Sequence, residues 1–441
     1  MTISIFLQFV VVLAAIWMGA RSSGVGLGLW GAVGLLILVV AFGVNPTSPP
    51  IDVMLIILAV IMAASVMDAA GGIDFLVRIA ERIIRANPKY VTIVAPLTTW
   101  SFTFVAGTGH IVYPLLPVIY ETAHQSGIRP ERPMAVATIA SQQAITASPV
   151  AAATAAMIGL FSEKGFTDWG LPQILMVCVP ATLTGVVAAA IISMFVGKDL
   201  KDDPEYQARL KAGEIPAPKS AAERPPLKAS AKISAYIFLA GVALVVFFGF
   251  FPEFRKIPGA KSALGMPIVI EIIMLSVAAV MLLVTKVMVD EVPKTPTLRA
   301  GVVAVIGIFG LAWLGDSFIG ANQAVIVPAI GEMAKTAPWT FAFGLFFASV
   351  LLYSQAATTR ALMPLGIALG IPPQFLIAMF PSVNGYFFIP TYGSLIAAIN
   401  FDLSGTTRIG KYVLNHSFMI PGIVATSVAV FTGLLLAKVI F

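Results

Sequence analysis

Ser141-Gln142-Gln143-Ala144-Ile145-Thr146-Ala147-Ser148-Pro149 interrupts an apolar segment that extends over residues 133–160. Hydrocarbon offers no water to backbone groups that a broken helix leaves unpaired, so such a break is stable only where protein or a wet cavity surrounds it. If the flanking segment lies in a membrane, the break therefore indicates a site rather than an ordinary loop.

Three further polar breaks occur in apolar stretches, one in the first half of the chain and two in the second. They are Ala106-Gly107-Thr108-Gly109-His110, then Ser354-Gln355-Ala356-Ala357-Thr358-Thr359-Arg360, and finally Asn384-Gly385-Tyr386, which continues to Pro390-Thr391-Tyr392-Gly393-Ser394. In each half a turn of small polar residues is followed by proline, and a second break comes about 30 residues later.

The spacing of these breaks repeats between the halves. Pro117 follows the first break and Pro364 the third, and these prolines are 247 residues apart. Pro149 and Pro390, in the second and fourth breaks, are 241 residues apart. Breaks at corresponding positions of two halves are typical of transporters whose site lies near the middle of the membrane. We therefore expect an all-α polytopic membrane protein with two related halves and broken helices.

The composition agrees with this class. Of the 441 residues, 59% are hydrophobic and 11% are charged, whereas a soluble globular protein has about 25% charged residues. The charges are also concentrated, since Gly197–Lys232 contains eight Lys/Arg and six Asp/Glu. The remaining sequence has room for about a dozen spans of roughly 20 residues each. Its apolar segments include 3–20, 24–43, 51–67, 172–196, 233–251, 268–287, 300–314 and 415–440.

The charged stretch divides the chain almost in half. We expect a first membrane half at 1–196, a linker loop at 197–232 and a second membrane half at 233–441. The linker's excess of Lys and Arg over the next loop places it in the cytoplasm by the positive-inside rule. Its proline-rich sequence indicates an irregular linker, with one short helix near Asp203 to Leu210.

Ile73 to Arg85 has a different pattern, with apolar residues on one helical face and charged residues on the other. This pattern predicts a helix lying in the membrane interface, ended by Asn87-Pro88. The simpler interpretation is a surface helix that joins two membrane segments; the alternative is that its arginines contact substrate.

Several other classes are disfavoured. Cys178 is the single cysteine and the three histidines are scattered, so the sequence shows no disulfide and no metal-ligand cluster. The net charge of +6 is explained by loops that face an anionic leaflet, without nucleic acid. An enzyme acting on lipid-linked substrates would show acidic metal-binding clusters or a His/Ser/Asp set that faces the interface, and this sequence shows neither. We therefore expect no enzyme activity and no cofactor.

The breaks suit the binding of an anion. Half-helix N-termini present unpaired N–H groups, and Ser, Thr, Gln and Asn add neutral donors. Two facing donor clusters fit a small molecule with a carboxylate at each end. The candidate substrate-binding residues are Thr108, Gly109, His110, Ser141, Gln142, Gln143, Thr146, Ser148, Ser354, Gln355, Thr358, Thr359, Arg360, Asn384 and Thr391.

Three ionisable residues have alternative interpretations. Arg360 is a candidate bidentate partner of a carboxylate, or it lies at a surface or pairs structurally with an acid such as Asp316. His110 is a packed or capping residue or a proton carrier. Glu271 is an intramembrane acid or reaches the interface.

At these residues the sequence resembles the anaerobic C4-dicarboxylate uptake (Dcu) transporters of bacteria. The resemblance extends from the first span to the last. Besides the Ser141–Pro149 break, the motifs that carry it are Asn87-Pro88-Lys89-Tyr90, Gly107-Thr108-Gly109-His110, Arg129-Pro130-Glu131-Arg132-Pro133, Ser354-Gln355-Ala356-Ala357 and Gly405-Thr406-Thr407-Arg408-Ile409-Gly410, followed by Asn415-His416. The residues around Ser354 and Pro364 look closer to the aspartate and fumarate uptake branch. Gly393 departs from the pattern, which has proline there.

The resemblance implies a fold of the ion-transporter type, with two inverted repeats and re-entrant hairpins, in the bacterial cytoplasmic (inner) membrane. It also implies antiport, in which fumarate, malate or aspartate enters in exchange for succinate. A cation-coupled (Na⁺ or H⁺) dicarboxylate symporter is the alternative. A sensor kinase and a homo-oligomer are candidate partners. If the site assignment is right, Arg360→Ala and Gln142→Ala lose uptake while the protein still reaches the membrane.

Overall fold

The structure is a computed structural model, described here for residues 3–22, 25–215, 226–259, 263–352, 354–390, 392–412 and 414–441. Across these residues it is helical. The α-helices are α1 (Ile3–Ser22), α2 (Gly26–Phe42), α3 (Ile51–Ala69), α4 (Gly72–Ala86), α5 (Val91–Ala106), α6 (Val112–Gln125), α7 (Glu131–Gln143), α8 (Ala152–Glu163), α9 (Leu171–Ser193), α10 (Pro204–Lys211), α11 (Ala231–Phe250), α12 (Met266–Thr285), α13 (Pro296–Gly307), α14 (Trp313–Thr336), α15 (Phe341–Leu352), α16 (Gln355–Ala368), α17 (Pro373–Met379), α18 (Gly393–Phe401) and α19 (Met419–Ile440).

By length and composition, six helical stretches among the described residues could cross a membrane. They are Ile51–Ala69, Leu171–Ser193, Ala231–Phe250, Met266–Thr285, Pro296–Val325 and Met419–Ile440. The remaining apolar length lies in shorter helices, many of them joined in pairs across a break. The predicted apolar segment 300–314 is only one part of the longer apolar stretch Pro296–Val325. A π-helical turn at Ile308–Ala312 connects α13 to α14, and the helix continues to Thr336.

The two ends of α3 define the two faces of the molecule. Lys228 Nζ donates to the carbonyl of Ala69 at 2.7 Å, and Ser230 Oγ donates to Ala70 at 2.9 Å. The end of α3 and the start of α11 therefore lie together, at the face that carries residues 197–232. We call this the linker face; α3 begins at Ile51 on the opposite face.

The predicted hairpins enter from opposite faces. Helices α5 and α6 form a hairpin from the linker face, where His124 at the end of α6 contacts the Tyr206 hydroxyl at 2.8 Å. Helices α15 and α16 form the second hairpin, and Ala368 at the end of α16 shares a pocket with Asp52 at the start of α3. The second hairpin therefore enters from the opposite face.

The broken spans are inverted in the same way. Helix α7 begins at the linker face, and α8 ends at Glu163 on the opposite face, beside Asp52. Helices α17 and α18 run in the reverse direction, and the chain after α18 reaches the linker at Ser404, whose carbonyl accepts from Arg209 at 2.7 Å. These directions confirm the all-α fold with two inverted repeats, re-entrant hairpins and broken helices.

The short linker helix predicted near Asp203 to Leu210 is confirmed as α10. The Asp203 carboxylate caps it by accepting from the backbone N–H groups of Glu205 and Tyr206. Arg129 also donates to Asp203, and Arg408 pairs with Glu205 at 2.6 Å. The helix therefore contacts both halves of the chain.

The amphipathic stretch forms α4, which extends over Gly72–Ala86. Its apolar residues Leu76, Val77, Ala80 and Ile84 are buried, because α4 packs against α5, α6 and α11 at the linker face. Ile79 and Ile83 are exposed. The helix therefore joins two membrane segments at one face.

Candidate functional site

Each hairpin turns at a hydroxyl residue in extended conformation. Gly107, at φ +70°, ends α5, and Thr108 Oγ1 accepts from the backbone N–H of His110 at 3.3 Å. In the second hairpin, Ser354 Oγ accepts from the N–H of Ala357 at 3.2 Å and begins α16. These equivalent turns are the hairpin tips.

The second break of the first half is hydrogen-bonded to the first hairpin. Ser141 Oγ donates to the carbonyl of Gly109 at 3.1 Å and lies 3.0 Å from Thr103 Oγ1. Gly109 packs so closely against Gln142 that a Cβ there would overlap its side-chain amide. Hydrogen bonds and close packing therefore hold the first and second breaks together.

A buried amide network joins the halves. Gln355 Nε2 donates to Gln142 Oε1 at 3.0 Å and to Asn384 Oδ1 at 3.1 Å. Asn384 Nδ2 in turn donates to Gln143 Oε1 at 3.3 Å, and Gln143 Nε2 donates to Thr426 Oγ1 at 2.8 Å. Side chains from the second, third and fourth breaks thus share one set of hydrogen bonds, in the middle of the molecule.

A cavity of about 910 Å³ opens beside this network. Of the predicted site residues, those that line it are Thr108, Gly109, His110, Gln142, Ser354 and Gln355. Its volume lies within the range of about 300–1,000 Å³ that is typical of small-molecule sites. The cavity therefore brings both hairpin tips and the second break together around one space.

The other predicted residues take different positions. Ser141, Gln143 and Asn384 lie behind the cavity in the buried polar contacts described above. The hydroxyls of Thr146, Thr358 and Thr359 donate to the carbonyls of Gln143, Ser354 and Gln355, and Ser148 Oγ accepts from the N–H of Val150. Thr391 lies outside the described residues.

Arg360 lies away from the cavity, in a smaller pocket of about 580 Å³. Its guanidinium forms ion pairs with Glu163 at 2.8 Å and with Asp316 at 3.1 Å. The pairing with Asp316 is the structural alternative that the sequence left open for this residue.

Two charged residues that line the cavity are absent from the predicted set. Lys294 and Arg299 flank the start of α13 and line the cavity. Lys294 pairs with Glu291 at 2.8 Å, whereas no carboxylate among the described residues pairs with Arg299. In sequence they resemble any basic residues at the cytoplasmic end of a span, so only the structure separates them from ordinary positive-inside charges.

The cavity extends toward the linker face. Along α3 it contacts Val60, Ile61 and Ala64. Thr297 on its wall donates to Asp68 at 2.7 Å, and the carbonyl of the next residue, Ala69, accepts from Lys228 of the linker. The smaller pocket instead contacts Asp52. From Asp52 to Val60 the helix rises about 12 Å, so the two spaces lie at different depths.

Gly393 is also on the cavity wall. A Cβ at this position would lie 2.8 Å from the Tyr113 hydroxyl, which also lines the cavity. Replacing the expected proline by glycine therefore leaves room for Tyr113 in its present position.

The chain matches the model of the family described as anaerobic C4-dicarboxylate membrane transporter over residues 4–441. It is 42% identical over 432 residues to the C4-dicarboxylate transporter DcuA of Escherichia coli K12, covering 98% of each chain. It is 40% identical over 435 residues to DcuA of Wolinella succinogenes, covering 98% of this chain and 99% of that protein. The anaerobic C4-dicarboxylate transporter DcuB of Escherichia coli O157:H7 is 39% identical over 437 residues, with 98% of each chain covered.

Among solved structures, the chain resembles the YdaH transporter of Alcanivorax borkumensis. The TM-score is 0.57 at 13% identity, covering 93% of this chain and 89% of that one, so this likeness concerns the fold alone. The family match and the relatives, which cover nearly the whole length, show that the chain belongs to the anaerobic C4-dicarboxylate membrane transporter family of DcuA and DcuB.

Proposed function

We propose that this protein exchanges C4-dicarboxylates across the bacterial inner membrane, binding one dianion at a time in the cavity between the two hairpin tips. Membership of a transporter family makes the chain a membrane transporter of C4-dicarboxylates and not an enzyme.

The observation that carries the proposal is the charge of the cavity wall. Among the described residues, the charged side chains that line it are Lys294 and Arg299, both basic. Arg299 is exposed, and none of the carboxylates in the described part of the chain pairs with it. Such a basic cleft attracts dianions and raises their local concentration. A carboxylate at Arg299 would receive the charge-assisted hydrogen bonds that this residue now lacks.

The hairpin tips supply the second group of donors. Ser354 and Thr108 begin helical turns whose free backbone N–H groups lie at the positive ends of those turns. Gln142 and Gln355 add neutral amides, held in place by the network. We expect one carboxylate of the substrate near these tips and the other near Arg299. A monocarboxylate would satisfy only one of these groups.

Exchange follows from charge balance. A dianion swapped for a dianion moves no net charge, so exchange needs no coupling ion. The proposed substrates are fumarate, malate and aspartate entering against succinate. The hairpins would move against a scaffold that includes the early spans. The proposed membrane domains are the two halves at 1–196 and 233–441. A sensor kinase and a homo-oligomer stay as proposed partners.

Uptake by the purified protein in proteoliposomes tests the substrate class. With succinate inside, labelled fumarate should enter, and unlabelled malate or aspartate should compete. A four-carbon monocarboxylate such as butyrate should compete poorly, because it leaves one donor group unpaired. Equal competition by butyrate would contradict a site with two carboxylate-binding ends.

A further inference from the structure

Arg360 is nearly completely buried, with 1% of its surface exposed, between two acids. Nη1 donates to Glu163 Oε2 at 2.8 Å, and Nη2 donates to Asp316 Oδ2 at 3.1 Å. The three residues come from α16, α8 and α14, so these ion pairs connect both halves of the chain. Proteins bury an arginine at such a cost only with partners of this kind.

These ion pairs line the smaller pocket, and two of the three helices that carry them also line the cavity. Helix α16 contacts the cavity at Gln355 and the smaller pocket at Arg360, five residues later. Helix α8 does the same, since Ala153 lines the cavity and Glu163 lines the smaller pocket. The two helices thus run side by side from the cavity to the opposite face, and the ion pairs join their outer parts.

The ion pairs of Arg360 leave two buried polar atoms without a hydrogen bond. Asp316 Oδ1 and Arg360 Nε are buried and have no hydrogen-bond partner among the described residues. Glu163 is the last residue of α8, and its side chain is 26% exposed to the smaller pocket. A carboxylate at a helix end with solvent access can leave Arg360 more readily than a carboxylate packed in a core.

We propose that Arg360, Glu163 and Asp316 form a gate that closes the opposite face while the cavity is open toward the linker face. When the gate opens, Arg360 binds a carboxylate of the substrate arriving from that face, in the position that Glu163 now occupies. The second statement rests on the proposed transport function; the first does not.

Labelling of one cysteine tests the gate without any transport. In a Cys178→Ala background, Ile145→Cys places a thiol on the cavity wall, where Ile145 is half-buried. A membrane-impermeant maleimide is applied to vesicles of both orientations. With the gate intact, the thiol reacts from the linker face. Adding Glu163→Gln and Asp316→Asn should raise the rate from the opposite face about ten-fold or more, since broken ion pairs readily shift an equilibrium this far.

Asp168→Asn is the matched control, because Asp168 lies in the loop after Glu163, is exposed and forms no ion pair among the described residues. It should leave the labelling unchanged. The single variant Glu163→Gln, at a partly exposed position, repeats the test if the double variant is not monodisperse in detergent. Labelling from the opposite face that stays at the reference rate in a folded gate variant would overturn the gate.

Arg360→Lys tests the carboxylate contact, because lysine keeps the charge but loses the planar fork. We expect the KM for substrate offered at the opposite face to rise about ten-fold, with a smaller change at the linker face. An equal rise at both faces would place Arg360 outside the entry step. Absence of dicarboxylate uptake by the unmodified protein would refute the proposed function, while the labelling result would still stand.

Discussion

Gln142 and Gln355 are 213 positions apart in the chain, yet Gln355 Nε2 donates to Gln142 Oε1 at 3.0 Å in the buried centre of the protein. Each lies at a break of a different half, and both line the cavity. This hydrogen bond therefore joins the two inverted repeats at the proposed binding site. Any relative movement of the two halves during transport would change or break this hydrogen bond.

Gln142→Ala and Gln355→Ala should each reduce uptake at least about ten-fold, because each leaves a buried amide unpaired at a cost of ~1–3 kcal/mol. The double variant should lose less than the product of the two single losses, since the residues share one bond. Initial uptake rates of the three variants measure this. Gln125→Ala, at an exposed position at the end of α6, is the control. Independent, multiplicative losses would show that the two amides do not act together.

Arg299→Gln should raise the KM for dicarboxylate by about ten-fold with little change in maximal rate, because it removes charge from the cavity entrance. The effect should decrease at high salt, which screens exposed charges. Lys89→Gln removes a charge from the same face at an exposed residue that does not line the cavity. If Lys89→Gln raised the KM as much as Arg299→Gln, general surface charge would explain the result.

Gly109→Ala should reduce uptake, since the added Cβ would overlap the Gln142 side-chain amide and displace it from the buried network. Gly344→Ala adds the same methyl group in α15, where nothing lies within 4 Å, and should be neutral. Uptake together with thermal unfolding separates loss of function from loss of folding. Full activity of Gly109→Ala would mean that the hairpin tip tolerates displacement of Gln142.

The linker helix should detach when Asp203 is changed to Asn. Burial raises the pKa of Asp203, but hydrogen bonds from Arg129 and from the helix N–H groups outweigh it, so the pKa lies below its ordinary value of 3.8. The ion pair with Arg129 therefore stabilises the folded protein above about pH 4. This contribution is lost as the pH falls through the lowered pKa of Asp203. Limited proteolysis within α10, at Arg209 and Lys211, should be fast for Asp203→Asn at pH 7 and slow for the unmodified protein at both pH 7 and pH 5. Rapid cleavage of the unmodified protein at pH 5 would contradict this assignment.

The sequence predicts the parts of this protein that depend on local chemistry. Breaks such as Gly107-Thr108 and Ser354 are visible because small polar residues and prolines interrupt apolar runs, and their spacing shows the repeat. The continuation of α14 beyond residue 314 is less visible, because Asp316 and Asn322 make the segment polar, while the structure pairs them with residues of other elements.

Residues whose role depends on tertiary placement could not be predicted. Arg299 differs in no local way from other basic residues at the end of a span, and only packing places it on the cavity wall. Arg360 is the last residue of the third break, yet the direction of α16 takes its side chain to a different pocket. Sequence patterns locate a helix and its faces, but not which neighbour each face meets.

Counterflow in proteoliposomes tests the central claim most directly. Vesicles are loaded with succinate or left without internal dicarboxylate, and the initial entry of labelled fumarate is measured with no Na⁺ or pH gradient. Exchange predicts rapid entry into loaded vesicles and little entry into empty ones. Equal entry into both would contradict exchange. In a repeat with an imposed Na⁺ or pH gradient, rapid entry into empty vesicles would contradict exchange and favour a cation-coupled symporter.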